Sequence, residues 1–206
     1  MAGHWQRVQN SKREGDKKEM LSIKSGSAVA VLVAMTLAAA SPAEAQVALE
    51  LRGGLNVPTF KIADAAKAGP SFGAGLNFKL ADRVWLIGDA DFGFHKGADL
   101  AAGASGPSVD VYHYMGKLGY QVSGSSNGKV SLILNAGAGA MTFKVDGGSS
   151  FTYPAINVGA KLIFGLGGKV SFVVSPQGDI AFSKKAELGT SNSWVWPFAA
   201  GLRINF

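Results

Sequence analysis

WVWPFAAGLRINF, residues 194–206, alternates with period two across its whole length. Trp194, Trp196, Phe198, Ala200, Leu202, Ile204 and Phe206 share one face; Val195, Pro197, Ala199, Gly201, Arg203 and Asn205 share the other. That is the periodicity of a β-strand, with one side apolar and the other small or polar. The length suits a membrane-crossing strand of about 9–11 residues, greasy toward lipid and polar toward a lumen. A soluble β-sandwich strand would carry the same alternation with its apolar side buried, so the rest of the chain has to separate the two.

Seven more segments repeat the pattern. Residues 47–56 set Val47, Leu49, Leu51 and Leu55 against Glu50, Arg52 and Asn56; residues 71–80 set Phe72, Leu76, Phe78 and Leu80 against Ser71, Asn77 and Lys79. Residues 84–95 oppose Leu86, Ala90, Phe92 and Phe94 to Asp89, Asp91 and His95; residues 111–122 oppose Tyr112, Tyr114, Leu118 and Tyr120 to His113, Lys117 and Gln121. Segments 130–141, 155–164 and 170–182 continue, with Asn135, Lys161, Ser171, Gln177 and Asp179 on their polar sides. No Asp, Glu, Lys or Arg lies on any apolar face. Glu50, Arg52, Lys79, Asp89, Asp91, Lys117, Lys161, Asp179 and Arg203 all lie on the opposite ones. A cation facing lipid at the midplane costs about 2–4 kcal/mol, so this segregation is what a membrane barrel requires.

The front of the chain points the same way. Ala28–Ala40 (AVAVLVAMTLAAA) is uncharged and too short to span a bilayer, and small residues follow at Ala43 and Ala45. This is the pattern of a helical signal peptide cleaved after Ala45, with Met20 as the expected translation start. Residues 1–45 are therefore read as an N-terminal extension and signal peptide, and 46–206 as the barrel. The chain has no Cys, which excludes disulfides and thiolate metal sites. Its formal charge is +6, but beyond Ala45 fourteen basic and ten acidic residues are spread without clusters. A nucleic-acid-binding surface is not expected. GSSNGKV at 124–130 and GAGAM at 137–141 lack the spacing of phosphate and dinucleotide loops.

The connections alternate long and short, as when extracellular loops alternate with periplasmic turns and the N-terminus is periplasmic. Aromatics gather near segment ends: Phe92, Phe94, Tyr112, Tyr114, Phe143, Phe182, Trp194 and Trp196 at one rim, Phe78, Tyr120, Phe164, Phe172 and Phe206 at the other. Pro176 and Pro197 fall inside strands of a closed sheet, so a bulge or a missing ladder bond is expected near each.

On LELRGGLN, LNAGAGAM, PFAAGLRINF and the terminal aromatic, residues 46–206 resemble the small bacterial outer-membrane β-barrels that include the OmpA transmembrane domain and OmpX-like proteins. The resemblance implies an all-β, eight-stranded, antiparallel up-and-down transmembrane barrel in the outer membrane. It also implies Phe206 as part of an assembly signal read by the barrel-assembly machinery. The cell-wall anchoring of full-length OmpA is not carried over, since no stretch here resembles its second domain. Some barrels of this kind are enzymes acting on lipid A, with a His and a Ser two residues apart. FGFHKG around His95 lacks that Ser, so no enzyme is expected.

An eight-stranded barrel is just wide enough for its own side chains to fill it. The nine lumenal charges, five positive and four negative, are therefore expected to pair into an ionic network that plugs the interior. If first and last strands close antiparallel, Glu50 lies level with Arg203, and Asp89 lies near Lys117. His95 and His113 are expected as a polar pair near the extracellular rim, within a hydrogen-bond network, with no metal and no cofactor. The expected function is structural or surface contact through the loops, by a monomer in outer-membrane lipid, with a surface ligand the sequence does not name. The alternatives are a narrow pore or a carrier of small hydrophobic molecules, and outside the membrane a secreted, soluble β-sandwich binding module.

Overall fold

The computed structural model describes residues 46–99, 104–124 and 129–206; the expected signal peptide lies outside them. Eight antiparallel strands, β1 (Val47–Thr59), β2 (Gly69–Ala81), β3 (Val84–His95), β4 (Val109–Ser123), β5 (Val130–Val145), β6 (Ser150–Gly167), β7 (Val170–Ala181) and β8 (Ser193–Asn205), form one sheet. Each strand pairs with its sequence neighbours, and β1 pairs with β8, closing the barrel. One sheet closed on itself has no second layer to pack against, which rules out the β-sandwich. The apolar faces point outward: Leu51, Leu55, Phe72, Leu118, Val158, Phe198 and Leu202 are all exposed.

The short connections define a turn end of the barrel, beside Gln46 and Phe206; the opposite, loop end carries residues 60–68, 96–99, 104–108, 146–149 and 182–192. Gly167 (φ 117°) and Gly168 (φ 58°) make the β6–β7 turn in a backbone region where a Cβ is strained. The strands run further toward the loop end than the sequence pattern indicates. A loop is expected over 142–154, but β5 and β6 continue until only Asp146–Ser149 remain between them. The reason lies inside. Phe143 and Tyr153 are buried on the inner face, rings 6.1 Å apart, and hold the extension together. Phe143 is therefore no rim aromatic.

The inner face is also less polar than its charges suggest. Trp85, Ile87, Ile133, Ile163 and Val173 form an apolar cluster toward the turn end. Val109, Val111, Met115, Met141, Phe143, Tyr153 and Val195 form a larger one toward the loop end. That second cluster is covered by Ile62 of a 3-10 helix (Phe60–Asp64), by Ala66, and by Leu188 of a one-turn helix (Lys185–Leu188). The first two loops are tied by backbone bonds, Lys67 to Lys96 (2.9 Å) and Ala98 to Ala65 (3.0 Å), and by a Lys67–Asp99 ion pair at 2.6 Å.

Both prolines interrupt the wall without shifting its register. On the β6–β7 interface even-numbered pairs exchange bonds, as Phe182 N–H does with the Pro154 carbonyl, so the Ala160 carbonyl faces Pro176, which has no N–H. Pairing lapses between Gly159↔Gln177 and Leu162↔Val174. The Gln177 side chain fills the vacancy, its Nε2 donating to Ala160 O at 3.0 Å. Gly159 makes this fit, since a Cβ there would lie 2.2 Å from Gln177 Oε1. On the other side of β7 the bonded pairs are odd-numbered, so the Gln177 carbonyl faces Pro197, and that ladder lapses between Pro176↔Phe198 and Asp179↔Val195. Outside, the Trp196 ring lies over Gly178, leaving no space for a Cβ.

Candidate functional site: the charged layer of the lumen

Between the two apolar clusters, strands β1, β3, β4, β6 and β8 bring seven charged side chains into one connected network. Glu50 sits across from Arg203 in the β1–β8 register, and its Oε1 accepts from Arg203 Nη1 at 3.0 Å. Its Oε2 accepts from Arg52 Nη1 at 3.0 Å and from Lys161 Nζ at 2.7 Å. Asp89 receives Arg52 Nη2 at 2.9 Å, Lys117 Nζ at 2.8 Å and Lys161 Nζ at 3.4 Å. Arg52 Nη2 also reaches Asp91 at 3.2 Å. Lys161 is fully buried and stands on β6, yet it contacts side chains on β1, β2 (Asn77, 3.2 Å) and β3. It crosses the lumen. Gly73 and Gly75 give the carboxylates room: a Cβ would fall 2.0 Å from Asp91 Oδ1 and 2.3 Å from Asp89 Oδ1.

The network has four cations and three carboxylates. The fourth carboxylate, Asp179, lies apart from it and accepts from His113 Nδ1 at 2.6 Å and from Asn157 Nδ2. Because a carboxylate only accepts, His113 carries its proton on Nδ1 and leaves Nε2 to accept from Asn56 Nδ2 at 3.3 Å. His95, near the loop end, donates Nδ1–H to the Lys67 carbonyl at 2.8 Å. The two imidazoles are buried but share no hydrogen bond. Among the described residues, no three His, Asp or Glu side chains converge as a metal site would need.

Lys79 departs from expectation. It is half-buried near the turn end of β2 and makes no ion pair among the described residues, because it lies beyond the layer where the carboxylates cluster. The amides Asn56, Asn77, Asn157 and Gln177, not singled out from the sequence as site residues, complete the layer. Gln177 Oε1 takes Lys117 Nζ at 3.1 Å. Their signal was parity, for Asn is disfavoured in strands and here recurs at inward positions.

A closed eight-stranded barrel with an apolar exterior and its charges inside is an integral outer-membrane protein. The profile of the outer membrane protein beta-barrel domain matches residues 27–206, and the chain belongs to that family. It is located in the outer membrane, in contact with its lipid. Among solved structures it is similar to Neisserial surface protein A, at 15% identity and a TM-score of 0.60 over 79% of this chain and 100% of that one. A major outer membrane protein from Thermus thermophilus overlays at 14% identity and 0.55, with the same coverage. No curated protein matches the sequence.

Proposed function

We propose that this protein is a monomeric outer-membrane barrel with a plugged lumen, working as an envelope component or surface-contact module through its loop end, which faces outward from the cell. It is not a catalyst. The observation that carries the reading is Lys161: a buried side chain whose ammonium is held by Glu50 and Asp89 from the opposite wall occupies the path a permeating ion would take. Apolar clusters above and below add two further barriers. The tied first and second loops give the outward end a fixed surface for contact. Phe206, exposed beside the first strand with its N–H on the Val47 carbonyl (2.8 Å), is read as part of the signal for the barrel-assembly machinery.

Planar-bilayer recording tests this. The purified monomer is expected to give no steady unitary conductance. Reproducible single-channel steps from monomer would overturn the plugged lumen and favour the narrow pore.

A further inference from the structure

We propose that the turn-end mouth of the lumen is a binding site for a small planar organic anion, a single ring bearing a carboxylate. The mouth encloses a cavity of about 190 Å³, room for on the order of six waters and so for one small ring rather than an acyl chain. Trp85, Ile133 and Ile163 give it an apolar wall; Ser131, Ser171 and Lys169 give it polar edges. Arg203, almost wholly buried, lies over the Trp85 ring at 4.8 Å. Its guanidinium is only partly used: Nη1 donates to Glu50 and Nε to Asn205, each at 3.0 Å, while Nη2 makes no hydrogen bond among the described residues.

A buried guanidinium with an unused donor, beside the Trp85, Ile133 and Ile163 side of a cavity whose remaining lining is polar, is complementary to a carboxylate on a flat apolar body. The charged hydrogen bond is strong in such a setting, and the ring displaces water from apolar surface. The mouth also has a field of the right sign. Lys79, Arg83, Lys129 and Lys169 stand around the turn end with Asp82 as the acidic side chain among them, which favours entry of anions. This site is independent of whether the lumen conducts.

The test uses the mature protein, beginning at Gln46, in zwitterionic micelles, with fluorine NMR line broadening of 4-fluorobenzoate as the readout. Saturable binding with a dissociation constant on the order of 1 mM is expected, given the few atoms of the probe. Ser171→Leu fills the cavity beside Arg203, its cross-strand neighbour, while removing none of the charged groups, and is expected to weaken binding about tenfold or more. Arg203→Lys keeps the charge but loses the fork, and is expected to weaken it as well. The neutral isostere 4-fluorobenzamide is expected to bind much more weakly, as is inorganic phosphate, which lacks the ring. Absence of saturable broadening, equal binding of the amide or of phosphate, or undiminished binding to a folded Ser171→Leu variant would each overturn the proposal.

Discussion

Replacing Glu50 by Gln removes one negative charge and almost no volume, so its effect isolates what the carboxylate does. Three cations lean on it: Arg203 at 3.0 Å, Arg52 at 3.0 Å and Lys161 at 2.7 Å. Arg52 keeps Asp89 and Asp91 after the change, and Lys161 keeps Asp89 at 3.4 Å. Arg203 keeps no carboxylate, only the amide of Asn205. One buried guanidinium is thus stripped of its counter-ion and one ammonium is left with a longer contact. Breaking a buried pair from one side costs about 3–5 kcal/mol, and the expected loss lies in that range. With a slope of roughly 1–3 kcal/mol per molar urea, the unfolding midpoint falls by about 1–5 M. The assay is urea unfolding of vesicle-inserted protein, followed by tryptophan fluorescence and by the heat-dependent gel mobility of barrels. Adding Lys161→Met removes one of the two cations then in excess and should recover about 1–3 kcal/mol as non-additivity. A loss below about 1 kcal/mol for Glu50→Gln, or strict additivity in the double variant, would refute a network centred on this carboxylate.

Three further outcomes follow from the geometry. Lys79→Met is expected to stay within about 0.5 kcal/mol of the parent in the same unfolding assay, since no ion pair is lost. Gln177→Met leaves the Ala160 carbonyl without a donor and should cost about 1–3 kcal/mol; Pro176→Ala restores an N–H facing that carbonyl, so the double variant should be less damaged than the sum. Glu187, in the last loop, accepts from the Tyr153 hydroxyl at 2.5 Å, and this bond, with help from Lys184, holds its pKa below the usual carboxylate value. A depressed folded-state pKa stabilises the docked loop above the unfolded value and loses that contribution as pH falls through the folded one. The protection of the Leu188 amide, its exchange measured against the intrinsic rate at each pH, is therefore expected to fall below about pH 4.5 and to be flat from there to neutrality, a profile that Glu187→Gln should erase.

Much of this was legible in the residues because a barrel has only two faces and one period. The sorting of Glu50, Asp89, Lys161 and Arg203 to one side needed parity alone, and the level of Glu50 with Arg203 needed only the closure of first on last strand. Reach across the lumen is a different matter. Lys161 finds Glu50 and Asp89 through the barrel's diameter, a distance no ladder register contains. The apolar inner clusters were hidden for a related reason: Ile87, Ile133 and Val173 sit among polar neighbours of the same parity, and a majority rule reads the face as wet. In a narrow barrel, the inner space beside the charge layer is filled by side chains as a protein core is, and aliphatic ones suit it. Loop-end strand lengths depend on Phe143 meeting Tyr153, a tertiary contact made beyond where the alternation was strongest.

Strands in a cylinder hold one another like the teeth of a zip, and β7 lacks teeth on both sides at one height. There the wall is held by a glutamine amide within and an indole ring without, rather than by the chain's own stitching. A sideways pull, from membrane tension or from a neighbour gripping β8, would concentrate on those two side groups. The cylinder would part first midway along β7, and the breach would open toward acyl chains instead of toward either aqueous compartment.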